Sequence, residues 1–226
     1  MDDFYIRISI NPLSEFMTAH DGRKRTIIKQ QKNPPRIVVS WYGLARKNMK
    51  DFFKNGFDRN AIINAIEYLQ NQVPASNFER KNIPNSIAAL KEFMVLQFPE
   101  NFKKIKFEFS KSATKGYKIE GVAINVSPDL ILRWEENGKK YVGGIKFHIS
   151  RSYKFTYEGS IYAASNLMLF LKEKIANENE EVHNEYCLSI DIFGKRAISA
   201  PKDVTRVKNR IAEACNELKF LWNNVA

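Results

Sequence analysis

The chain has 226 residues, with 36 Lys+Arg against 25 Asp+Glu, a formal net charge of +11, and a composition that is 44% hydrophobic and 12% aromatic. That apolar content supports the core of one large domain, or of a domain with an appendage, and excludes global disorder. No apolar run approaches the roughly 18 residues of a membrane-crossing helix, so no membrane partner is expected.

The N-terminus, MDDFYIRIS, starts acidic and carries no apolar signal core, which makes a cytoplasmic location the default expectation. Residues 4–10 (FYIRISI) alternate and predict a short strand. Asn11-Pro12 then predicts a helix start, with Asn11 as cap and Pro12 in the first turn. Residues 20–32 form a basic helical or irregular stretch, ended by Pro34-Pro35. Residues 42–54 predict a helix with Leu44, Met49, Phe52 and Phe53 inward, ended by Asn55-Gly56. Asp58 is placed to cap the next helix, whose apolar stripe is Ile62, Ile63, Ile66 and Leu69. Residues 74–84 predict a polar connection and the boundary between a basic, mainly helical part (1–84) and a second part (85–226).

From His20 to Asn60 the chain holds eleven Lys/Arg and three acids, so this stretch alone carries +8 of the +11. Such a concentrated excess is the footprint of a polyanion binder, with DNA the first expectation. Arg23, Lys24, Arg25, Lys29, Lys32, Arg36, Arg46 and Lys47 are the candidate nucleic-acid-binding residues. A solvated basic face is the plainer alternative.

The pattern changes after residue 84. Asn85 is placed to cap a helix over 86–97, and residues 104–110 (KIKFEFS) alternate as a strand. Residues 117–126 predict a strand with a bulge at Gly121, and residues 129–135 another. Asn137-Gly138 is a hairpin turn signal, and residues 141–149 return. A long helix follows over 157–175, then a second strand pair (186–193 and 196–200), then a last helix capped by Asp203. The predicted fold class is α/β. The two cysteines, Cys187 and Cys215, lie 28 positions apart without a CxxC, so neither zinc nor an iron–sulfur cluster is expected.

The unit from Gly121 to Tyr162 carries the chemistry. Pro128-Asp129 opens one strand, Gly144-Ile145-Lys146 sits in the adjacent one, and Glu158-Gly159-Ser160-Ile161-Tyr162 opens the next helix. A carboxylate, an amine, and an acid and phenol one turn apart are the groups that metal-assisted phosphodiester hydrolysis uses. In order and context these motifs resemble the PD-(D/E)xK nuclease superfamily, RecB-like branch, over roughly residues 86–226.

The resemblance implies a restriction-endonuclease-like core, a central mixed sheet flanked by helices, behind the basic N-terminal extension. It implies a Mg²⁺- or Mn²⁺-dependent deoxyribonuclease used in bacterial or phage DNA processing or defence. Asp129, Lys146, Glu158 and Tyr162 would be catalytic, and Asp129, the carbonyl of Ile145 and Glu158 would hold the metal. One departure stands out: Gly144 occupies the position of the family's second carboxylate. Glu158, Glu120 or Glu92 would have to replace it. Two alternatives stay open: an inactive nuclease-fold protein that binds nucleic acid or assembles a complex, and a protein–protein adaptor that recruits a helicase or another partner.

Overall fold

The computed structural model describes residues 6–34 and 41–225. The elements, in chain order, are β1 (Arg7–Ser9), α1 (Ile10–Phe16), α2 (Asp21–Lys32), α3 (Gly43–Lys54), α4 (Arg59–Gln70), α5 (Asn77–Met94), α6 (Glu100–Lys104), β2 (Glu108–Ser110), β3 (Gly116–Ile119), β4 (Val122–Asn125), β5 (Leu130–Glu136), β6 (Lys139–His148), α7 (Tyr157–Lys174), β7 (Glu180–Asp191), β8 (Arg196–Ser199) and α8 (Thr205–Asn224). The protein is thus α/β, with mixed sheets flanked by helices. Among the described residues no helix is long and apolar enough to cross a membrane.

Five strands form the larger sheet in the order β2-β5-β6-β7-β8, and three form a smaller one in the order β1-β4-β3. In the larger sheet only β6 and β7 run parallel, and α7 makes the crossover between them. Strand alternation divides the side chains between two cores. Leu130, Leu132 and Trp134 of β5, with Ile145 and Phe147 of β6, pack against α3, α4, α5 and α6. Ile131 and Val142 face the opposite side, with α1, α2, α7, α8 and the smaller sheet. The N-terminal helices therefore cover both faces of the larger sheet: α1 and α2 one, α3 and α4 the other.

Local signals explain most of the boundaries. Asn137 and Gly138 both have positive φ, 53° and 73°, the backbone of a two-residue hairpin turn. Asp58 accepts from the amide of Asn60 (2.9 Å), and Thr156 caps α7 by accepting from Gly159 (3.0 Å).

Several expectations are corrected. Gly121 is no bulge: Glu120 and Gly121 (φ 50° and 77°) form the turn between β3 and β4, where Ile119 pairs with Val122. Asn11 caps nothing and instead donates to the carbonyl of Phe147 (3.1 Å), tying α1 to β6. The strand expected over 4–10 is limited among the described residues to Arg7–Ser9, and Ile10 already begins α1. The polar connection over 74–84 is helical from Asn77 onward, because Ser76 accepts from the amide of Glu79 while Glu79 accepts from the amide of Ala75, and α5 runs through Pro84 without interruption.

Candidate functional site

The β5–β6 hairpin sets Leu130 opposite Ile145, so Asp129, one residue earlier, lies beside Lys146. The Asp129 amide donates to the carbonyl of Ile145 (2.8 Å) and extends the ladder by one step. Both oxygens of the Asp129 carboxylate accept a hydrogen bond. Its Oδ2 accepts from the amide of Phe147 (2.8 Å), and its Oδ1 accepts from the guanidinium of Arg46 on α3. Lys146 donates its Nζ to the carbonyl of Ser127 (2.7 Å) and stands 3.9 Å from Asp129 Oδ2.

The Asp129 and Lys146 side chains are only 6% and 14% exposed, while Arg46 is 33% exposed. Burial holds the Lys146 ammonium below its ordinary range; Asp129 opposes that shift and Arg46 adds to it. Two cations against one carboxylate leave the site with a formal surplus of +1.

Glu158 joins a different cluster. It is 53% exposed and accepts from the guanidinium of Arg210 on α8 and from the phenol of Tyr162 (2.5 Å). Arg210 also donates to the Tyr162 oxygen (2.8 Å). Burial and the hydrogen bond to Glu158 raise the Tyr162 phenol, with Arg210 opposing. Among the described residues, no hydrogen bond or ion pair joins Glu158 or Tyr162 to Asp129 or Lys146. The other substitutes are also engaged elsewhere. Glu92 pairs with Lys195 (3.1 Å), and Glu120 sits in the β3–β4 turn, where its charge acts on Cys215 of α8.

Gly144 is closed off by packing. A Cβ added there would meet Leu171 Cδ1 at 3.1 Å and Leu167 Cδ1 at 3.3 Å, both on α7. A carboxylate at this position would enter an apolar helix contact and lose its hydration. Among the described residues, no three His, Cys, Asp or Glu side chains are grouped to hold a metal. Mg²⁺ requires a near-octahedral set of oxygens. One carboxylate whose oxygens already take an amide and a guanidinium, with the Ile145 carbonyl in the strand ladder, does not fit that requirement.

Part of the basic N-terminal stretch is tied to the protein itself. Arg23 pairs with Glu15 (2.5 Å), and Lys24 pairs with Glu217 (2.7 Å) and lies over the Phe16 ring. Lys32 donates to the carbonyl of Val225 (2.6 Å) and lies over Trp222, while Lys47 pairs with Asp51 (3.0 Å). The contacts of Arg23, Lys24 and Lys32 fasten α2 to α1 and α8, and with Lys47 on Asp51 and Arg46 on Asp129 five of the candidate phosphate-binding cations already have protein partners. Arg25 and Lys29 are exposed, and Arg36 lies outside the described residues.

The structure adds residues that the sequence analysis did not assign to the site. Arg46, expected among the phosphate contacts, shares a helical stripe with Met49 and Phe53 at i+3 and i+7; a cation on an inward face is the signal for its other role. Arg210, 48 positions after Tyr162, left no local trace. Beside the carboxyl ends of β6 and β7, Arg151 lies over the Phe193 ring (5.3 Å), and Tyr42 packs against the same ring (5.9 Å). No protein-family model and no curated protein matches the chain.

Proposed function

We propose that the chain is a nucleic-acid-binding protein, with DNA as its first substrate class, built on a RecB-like, restriction-endonuclease-like core that does not hydrolyse the strand it holds. One observation carries this reading. Each oxygen of the Asp129 carboxylate already accepts a hydrogen bond, from Arg46 and from the Phe147 amide, and the position of the second acid is a glycine packed under α7. What remains is a cationic site at the carboxyl ends of β6 and β7, the edge where open α/β sheets receive ligands. Arg46, Lys146 and Arg151 supply charge there, with the Tyr42 and Phe193 rings beside them. Backbone phosphates are the natural counter-charge.

The test is binding and cleavage of labelled single- and double-stranded DNA, with and without Mn²⁺, across a salt series. The proposal expects binding that weakens steeply with salt and no cutting. A metal nuclease is the second reading, favoured by the adjacency of Asp129 and Lys146 on paired strands. Cutting that Asp129→Ala and Lys146→Ala both abolish would replace the proposal with it. Failure of the wild type to bind any nucleic acid at low salt would leave the adaptor role, with a helicase or other protein as partner.

A further inference from the structure

On the face of the smaller sheet, a cleft of about 530 Å³ opens between β1, β3, β4 and the end of α7. Arg7, Lys115, Lys118 and Lys174 line it, against a single acid, Glu173. Glu173 pairs with Lys174 (2.9 Å), and the lining as a whole carries a net formal charge of +3, four cations against one acid. Arg7 and Lys115 are exposed, and neither side chain makes a hydrogen bond or ion pair among the described residues. Gly116 lets β3 lie close against β4: a Cβ there would stand 2.2 Å from the carbonyl of Ile124.

One short turn lies between Lys115 of the cleft and Lys146 of the site. The amides of Val126 and Ser127 both donate to the carbonyl of Lys115 (2.8 and 3.0 Å), while the carbonyl of Ser127 accepts from Lys146 (2.7 Å). Lys115 and Lys146 thus flank the same turn. A ligand that satisfies both would be a chain of anions, not a single one.

We infer that this cleft is a second phosphate-binding stretch, continuing the track of a nucleic-acid backbone from Lys146 past the 126–128 turn to Lys115 and Arg7. The inference rests on the nucleic-acid reading given above. The lining has no exposed aromatic ring, since Tyr117 is buried with its hydroxyl on Asn166, so the contact reads backbone and not bases.

The test uses the full chain and fluorescently labelled DNA of two unrelated sequences. Affinity is measured from low to moderate salt for the wild type, for Arg7→Glu/Lys115→Glu, and for Lys139→Glu/Lys140→Glu on the exposed β5–β6 hairpin. The hairpin variant makes the same change in net charge away from the cleft. The inference expects the cleft variant to lose roughly tenfold or more in affinity at about 0.1 M salt, with a log–log salt slope shallower by about 1–2 on both sequences, while the hairpin variant stays near wild type. Equal losses in the two variants, with wild-type binding intact, would overturn the cleft and leave the nucleic-acid reading standing. No binding by the wild type would overturn both.

Discussion

Arg46 and Asp129, 83 positions apart in sequence, form the ion pair that joins α3 to the start of β5. The two ends of this pair are unequal. Asp129 is nearly buried and also faces Lys146 and the Phe147 amide, whereas Arg46 is a third exposed. Asp129→Ala leaves two cations facing each other and an amide without its acceptor, and is expected to cost about 3 kcal/mol. Arg46→Ala leaves the carboxylate with two of its partners and is expected to cost about 1 kcal/mol. Urea unfolding of both variants checks the asymmetry; equal losses would mean that the guanidinium alone anchors the site.

Restoring an acid at position 144 is expected to damage the fold and create no metal site. Gly144→Ala should cost about 1 kcal/mol, because Leu167 and Leu171 must shift by a few tenths of an ångström. Gly144→Glu places a charge in the same apolar contact and should cost at least about 3 kcal/mol. Thermal unfolding gives the ranking, and calorimetric titration with Mn²⁺ gives the second half. A folded Gly144→Glu protein that gains Mn²⁺ affinity would contradict this account of α7.

His148 predicts how stability responds to acid. Its Nε2 lies 2.8 Å from the carbonyl of Tyr153, and its ring stacks on Phe155 at 3.8 Å. Burial lowers its pKa; Asp191 on β7, the Tyr153 carbonyl and Glu15 on α1 oppose that shift, and Arg46 adds to it. The unfolded chain therefore binds a proton at a pH where the folded chain still resists it. Stability from this residue is complete above the unfolded histidine pKa of roughly 6.5 and declines as pH falls toward the folded value. Unfolding free energies from pH 7.5 to 5 should decline, and His148→Gln should flatten the slope over that range. An unchanged slope would assign the acid sensitivity to other groups.

Pro84 is the eighth residue of α5, where its ring removes the amide that would bond to the carbonyl of Arg80. The residue is exposed, so no packing is lost on replacing it. Pro84→Ala is expected to raise stability by about 1–2 kcal/mol, the gain in the helix exceeding the entropy returned to the unfolded chain. A denaturant midpoint below that of the wild type would show that the ring itself stabilises the path of α5.

Pro84 also shows why part of the fold was hard to read. A proline after a polar run signals a break, but the Ser76–Glu79 cap and the burial of Ile83, Ser86 and Leu90 carry the helix across it. The Asn137-Gly138 turn and the strand–helix–strand order of β6, α7 and β7 were legible, because turn chemistry and strand alternation are local. Charge was misleading for the opposite reason. Lys24 and Lys32 each look solvated in sequence, and their partners Glu217 and Val225 lie 193 positions away. Within the candidate site, the adjacency of Asp129 and Lys146 follows from the hairpin. The attachment of Glu158 to Arg210, 52 positions on, depends on how α8 crosses α7, which no local pattern encodes.

The same long-range clasp governs the order in which the protein can be completed on the ribosome. Ile8, Ile10, Leu13 and Phe16 of the first elements, and Ile27 and Ile28 of α2, find their packing partners on β4, α7 and α8. Lys32 waits 193 positions for the carbonyl it finally bonds. At ordinary translation speeds of about 5–20 residues per second, that is roughly 10–40 s before α2 can meet α8, although β4 and α7 become available to β1 and α1 sooner. Until α8 has been made, α2 lacks the helix that covers its apolar side.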